Sequence, residues 1–160
     1  MPHDEPARQR EVDGLAPPGY RAAELDRIAA AAADLIGTPI GLVTLIDRDR
    51  LTAPGWHGIA FDGLARTQSV CSHGILTPDE LLCVPDLRAD ARFAGLRIAQ
   101  GANALRFYAG APLVTPGGRA FGMLCVFDNA PRPRPDADRC EALRRLAAAA
   151  VARMERAAAA

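Results

Sequence analysis

The chain has 160 residues and a formal net charge of zero, 19 basic residues balancing 19 acids. That length suits one domain burying roughly 70% of its unfolded surface, which needs neither disulfides nor a structural metal. Every basic residue is arginine, so a Walker-type phosphate cradle, Schiff-base chemistry and a lysine general base are excluded, and the balanced charge offers nucleic acid no extended positive field.

Residues 1–19 are rich in Pro, acids and Arg and lack an apolar run. Too little apolar surface is available there for ordering, so a flexible leader is expected, neither signal peptide nor membrane anchor. No apolar run approaches the ~18 residues of a spanning helix, and a cytoplasmic protein with no membrane partner is expected. Leu25, Ile28, Ala29, Ala32, Leu35 and Ile36 then recur at helical spacing, with Gly37 and Pro39 as a stop.

Residues 40–46 are apolar on both alternating faces, as in a strand buried between layers. Residues 51–57 read as the return strand, in which Pro54 and Gly55 call for an edge position or a bulge. Residues 69–76 read as a short helix, 81–84 as a strand ended by Pro85, and Asp90 as the cap of a helical turn through Phe93. Segments 106–114 and 119–128 form a hairpin pattern around Thr115-Pro116-Gly117-Gly118, and Gly110-Ala111-Pro112 suggests a bulge within it. Beyond a Pro-rich connector, Asp138 to Glu141 resembles a capping box, and Leu143, Leu146, Ala147, Ala150, Val151 and Met154 form the stripe of a closing helix. The sum is an α+β three-layer sandwich around a mostly antiparallel sheet.

Chemistry-bearing residues are few. Cys71, Cys83, Cys125 and Cys140 form no Cys-x-x-Cys pair and read as packed thiols. Cys71 and His73 suggest a nucleophile with its base, but residues two apart on a helix point roughly 200° away from each other. Ser69 and His73 share a helix face better. Asp86, Arg88, Asp90 and Arg106 could present arginine to an anionic ligand, or could cap turns and pair among themselves. Trp56, Phe61, Phe93, Phe107 and Tyr108 could line a pocket or fill the core, and Phe107 and Tyr108, adjacent on a strand, must face opposite layers.

Five blocks in order, residues 40–50, 69–76, 85–93, 106–113 and 122–128, resemble the bacterial GAF domain family, with the likeness covering about 20–155. The resemblance implies a GAF-like domain over 20–156, a frayed end over 157–160, and a six-stranded sheet with terminal helices on one face and a ligand pocket under short helices on the other. It also implies a non-catalytic sensor of a small molecule, signalling through a homodimer of its terminal helices or a partner protein. The ligand is expected among Trp56, Ser69, Cys71, His73, Asp86, Arg88, Asp90, Phe93, Arg106 and Tyr108, with no metal and no cofactor assigned. An alternative within the family is a thiol enzyme similar to the free methionine-(R)-sulfoxide reductases, with Cys71 in the reactive role. A ligand-free dimerisation or docking domain is the other. Residues 101–105 lack the cysteine that the reductases, and the bilin-binding branch, place near the next strand. The Asn-Lys…Phe…Asp-Glu pattern of the cyclic-nucleotide binders is also missing.

Overall fold

The computed structural model describes residues 1–160 and contains one sheet of order β3-β2-β1-β6-β5-β4, antiparallel throughout. Its strands are β1 (Ile40–Asp47), β2 (Arg50–His57), β3 (Leu64–Ala65), β4 (Leu82–Val84), β5 (Phe107–Val114) and β6 (Ala120–Asp128). Because side chains alternate along a strand, the central strands supply two cores. Val43, Leu45, Phe107, Ala109, Leu124 and Val126 face one layer. Leu42, Ile46, Tyr108, Met123, Cys125 and Phe127 face the other.

The first layer is built from α2 (Ala23–Ile36) and α4 (Ala137–Ala159). Helix α2 rides directly on the sheet backbone: a Cβ at Gly41 would lie 2.1 Å from the Ala29 carbonyl oxygen, and one at Gly55 2.5 Å from the Leu25 carbonyl carbon. The helix ends where Gly37 adopts φ 84°, a left-handed conformation that costs glycine nothing, and its N–H donates to the Ala33 carbonyl at 2.7 Å. An Arg153–Glu24 ion pair ties α4 to α2.

Helix α4 begins at Asp136, whose carboxylate accepts from the Arg139 N–H at 2.9 Å. The expected capping box at Asp138 is therefore displaced by two residues, Asp138 lying inside the first turn. Helix continues to Ala159, so fraying from 157 is not observed.

The segment expected to be a mobile leader instead carries helix α1 (Glu5–Leu15). Asp4 caps it and Pro6 sits in its first turn. Val12 and Ala16 join the first core, and ionic contacts add to that hold. Arg8, only 1% exposed, donates to the Ile46 carbonyl at 2.7 Å and pairs with Glu5 at 2.8 Å. Arg66 reaches the same Glu5 at 2.6 Å, Arg48 meets Asp13, and Arg119 meets Asp4 and Glu11.

Two irregularities shape the sheet. Val43 pairs with Gly55 and Leu45 with Thr52, so Ala53 and Pro54 together oppose Thr44. This is the bulge expected at Pro54, and the Pro54 carbonyl serves α2 by accepting from the Ala22 N–H at 3.0 Å. The bulge expected over 110–112 is absent; β5 stays in register there and shifts only at Leu113/Val114. Strand β4 pairs with β5 only through Gly110, so Pro112 lies where no amide is required on that side.

Candidate functional site

The second layer consists of short elements: α3 (Cys71–Gly74), three single-turn 3-10 segments and their loops. They leave a hollow of about 110 Å³ against the sheet. Leu42, Thr44, Val70 and Cys71 are its buried walls, and Ile59, Phe61, Leu64, Gln68, Ile98 and Leu105, all partly or fully exposed, form its mouth. Of 14 lining residues, 11 are hydrophobic and none is charged. Its few polar groups have partners already. The Thr44 hydroxyl donates to the Met123 carbonyl and accepts from the Met123 N–H, both at 3.2 Å. Ser69 accepts from the Ser72 N–H at 3.3 Å, and no buried side-chain N or O atom anywhere lacks a hydrogen bond. The hollow thus selects by shape and apolar contact rather than by charge.

Among the residues expected at the ligand, the structure brings only Ser69 and Cys71 to this wall. The helix expected over 69–76 is shorter: Ser69 is extended and lies outside α3, so the Ser69 and His73 pairing on one helix face does not form. His73 turns instead to Phe93, their rings edge to face at 4.9 Å. Burial and the nearby Arg92 cation together hold its pKa below the ordinary imidazole value. Phe93 is wholly buried in the second core.

The charged cluster is structural. Arg106 grips Asp86 through two bonds of 2.8 and 2.7 Å, holding that carboxyl below its usual range. Arg88 is spent on the Ala99 and Gly101 carbonyls, and Asp90 accepts from the Arg92 backbone and guanidinium. Asp90 caps a helical turn as expected, its carbonyl accepting from the Phe93 and Ala94 N–H groups at 3.0 and 2.9 Å. Trp56 lies under the Arg21 guanidinium, 3.1 Å from ring centroid to carbon, and packs at the margin of the second core without lining the hollow. The wall is instead largely aliphatic, with Leu42, Ile59 and Leu105 beside Thr44, residue types that carry no chemical signature in a sequence. Of that wall, Phe61 was expected as pocket aromatic surface and does line it.

Tyr108 lies on the cavity side of the sheet but beneath the wall. Gly110 leaves the space for it: a Cβ there would sit 2.6 Å from the Tyr108 hydroxyl. That hydroxyl lies 3.3 Å from the Cys71 sulfur, within hydrogen-bond reach with either group as donor, and burial drives its pKa well up, so it stays protonated.

A curled antiparallel sheet with helices on one face and a capped hollow on the other defines an α+β fold of the GAF type. The GAF domain family profile matches residues 21–154, and the chain belongs to the GAF domain family. A cyclic di-GMP phosphodiesterase of Pseudomonas aeruginosa is 38% identical over 132 residues, which make up 82% of this chain but 22% of that protein. This relative corrects the expectation of a non-enzyme: it is named as an enzyme, and this chain matches one segment of it.

Solved structures share the fold. The GAF domain of an Acinetobacter phosphoenolpyruvate-protein phosphotransferase superposes with TM-score 0.70 at 17% identity, covering 99% of this chain and 97% of that one. The free methionine-R-sulfoxide reductase of Neisseria meningitidis does so with TM-score 0.64 at 22% identity, covering 94% and 83%. No helix is long and apolar enough to cross a membrane.

Proposed function

We propose that the chain is a sensory GAF domain that takes a small, uncharged, largely apolar molecule into its hollow and thereby sets the activity of a cyclic di-GMP phosphodiesterase. The observation that carries the reading is the uncharged, largely aliphatic wall, in which every buried polar side-chain atom is already hydrogen-bonded. Size supports it: pockets for drug-sized ligands run to ~300–1,000 Å³, whereas an engineered apolar cavity of ~150 Å³ holds benzene. Cyclic di-GMP itself is a poor fit, being large and doubly anionic where no arginine lines the hollow. The link to the phosphodiesterase rests on the relative's name and identity. A homodimer through the terminal helices belongs to the same proposal, and a native mass of one chain overturns that part.

The test uses benzene as probe. Its addition is expected to raise the thermal midpoint progressively with concentration, and Leu42→Phe, which fills the hollow, is expected to abolish the rise. Cyclic di-GMP hydrolysis by a phosphodiesterase bearing or bound to this domain is expected to change with benzene only when Leu42 is present. No midpoint shift overturns the ligand reading; a shift without any change in hydrolysis overturns the regulatory one.

A further inference from the structure

Cys71 on α3 and Cys125 on β6, 54 residues apart, bring their sulfurs to 3.8 Å. Thiols sealed in apolar surroundings are ordinarily inert. This pair differs because the sulfurs already touch, so a short approach would reach the ~2.05 Å of a disulfide. The two cysteines are also placed unequally. Cys71 belongs to the cavity wall, where a small solute entering past Ile59 and Leu105 would meet it, whereas Cys125 is behind that wall. Gly74 seats α3 closely on β6, since a Cβ there would come within 2.5 Å of the Met123 side chain.

The electrostatics follow the same division. Burial pushes the Cys71 thiol up, but its hydrogen bonding, to Cys125 above all, outweighs burial and leaves the thiol below its ordinary pKa. Burial pushes Cys125 well up. Its place on the cavity wall makes Cys71 the nucleophile of the pair, and Cys125, behind that wall, the thiol that waits.

We propose that Cys71 and Cys125 form a redox-active dithiol that a small hydroperoxide, entering through the cavity, converts to an intramolecular disulfide. The Cys71 thiolate attacks one peroxide oxygen; the S–O bond forms, the O–O bond breaks, and the departing hydroxide or alkoxide takes a proton. Cys125 then attacks the sulfenic sulfur: the S–S bond forms, the S–O bond breaks, and the hydroxyl leaves as water with the Cys125 proton. Two thiols are oxidised, one peroxide is reduced, and α3 becomes bonded to β6. The inference goes beyond the ligand reading and does not depend on it, because it concerns chemistry at the wall rather than occupancy of the space.

The experiment treats the full chain, with Cys83 and Cys140 replaced by serine, with one equivalent of hydrogen peroxide. Remaining thiols are alkylated under denaturing conditions, and intact mass and peptide mapping follow. Expected are the loss of two hydrogens, loss of alkylation at both positions, and recovery of both thiols with dithiothreitol. Cys125→Ala, which keeps an apolar group in the core, is expected to trap Cys71 as a sulfenic acid that dimedone captures, a readout independent of any fold change in a Cys71→Ser chain. Native circular dichroism is recorded on each variant, and the same oxidation in urea is expected to be markedly slower. The proposal is overturned if both thiols alkylate unchanged, if Cys71 proceeds to sulfinic acid without a disulfide, or if folded and unfolded chains oxidise at equal rates.

Discussion

Thr44 does at the residue scale what backbone does elsewhere in the sheet. Pairing between β1 and β6 runs from Ile40 to Val43, and beyond it the Thr44 hydroxyl takes both the N–H and the carbonyl of Met123. Thr44→Val keeps the shape but leaves two buried backbone groups unpaired, each costing about 1–3 kcal/mol. Denaturant unfolding is expected to show the loss at unchanged slope. Asp86→Asn and Arg106→Gln, by contrast, are expected to leave benzene affinity untouched, because the pair fixes a loop outside the hollow; a changed affinity measured by titration would return charge to the site. Sequence patterns suggested the type of each of these residues but not its employment. An arginine that clamps a ligand and one that clamps Asp86 read identically, since the difference lies in a partner 20 residues away. The true wall was hidden for the opposite reason: aliphatic residues of 40–46 look like ordinary core until the layer opposite fails to fill the space.

At the scale of elements, long periodic segments were legible and the ionic one was not. The α2 and α4 stripes, the β5–β6 hairpin and the Pro54 irregularity all follow from apolar spacing and proline chemistry. Helix α1 escaped because its order comes from distant partners, Ile46, Arg48, Arg66 and Arg119, although Asp4 followed by Glu5 and Pro6 carries a helix-start signal. Its docking is predicted to be acid-labile. The side-chain hydrogen bond from Arg8, reinforced by Arg66 against the opposing effect of burial, lowers Glu5 from 4.5 to about 2. A carboxyl depressed in the folded state contributes its stabilisation fully above its unfolded pKa and loses it as pH falls through the folded one. The contribution is therefore present above about 4.5 and fades toward 2. Hydrogen exchange of α1 amides, extrapolated to common intrinsic rates, is expected to lose protection across that window, and Glu5→Gln to lose it at neutral pH. Equal protection in both proteins at pH 7 would refute the ionic account. Gly41→Ala is expected to cost about 1–3 kcal/mol or more, since its methyl meets a carbonyl and not a side chain that can turn aside.

For the whole molecule, one sheet serves both cores, so occupancy on one side stabilises the other. Benzene at a hundredfold excess over its dissociation constant is expected to stabilise the fold by about 2.7 kcal/mol, and slow-exchanging α2 and α4 amides should report that gain as fully as those beside the hollow. Protection confined to the loop layer would mean that the two halves unfold separately.

The glycine contacts beneath α2 bear on where a signal can leave. With Gly41 and Gly55 holding helix and strand backbones against each other, and Gly122 placing β6 equally hard on the Thr44 carbonyl, that side has no slack to give. A guest that swells the hollow therefore meets an anvil on one side and short turns on the other, and the displacement emerges at the outer loops rather than along the long helices.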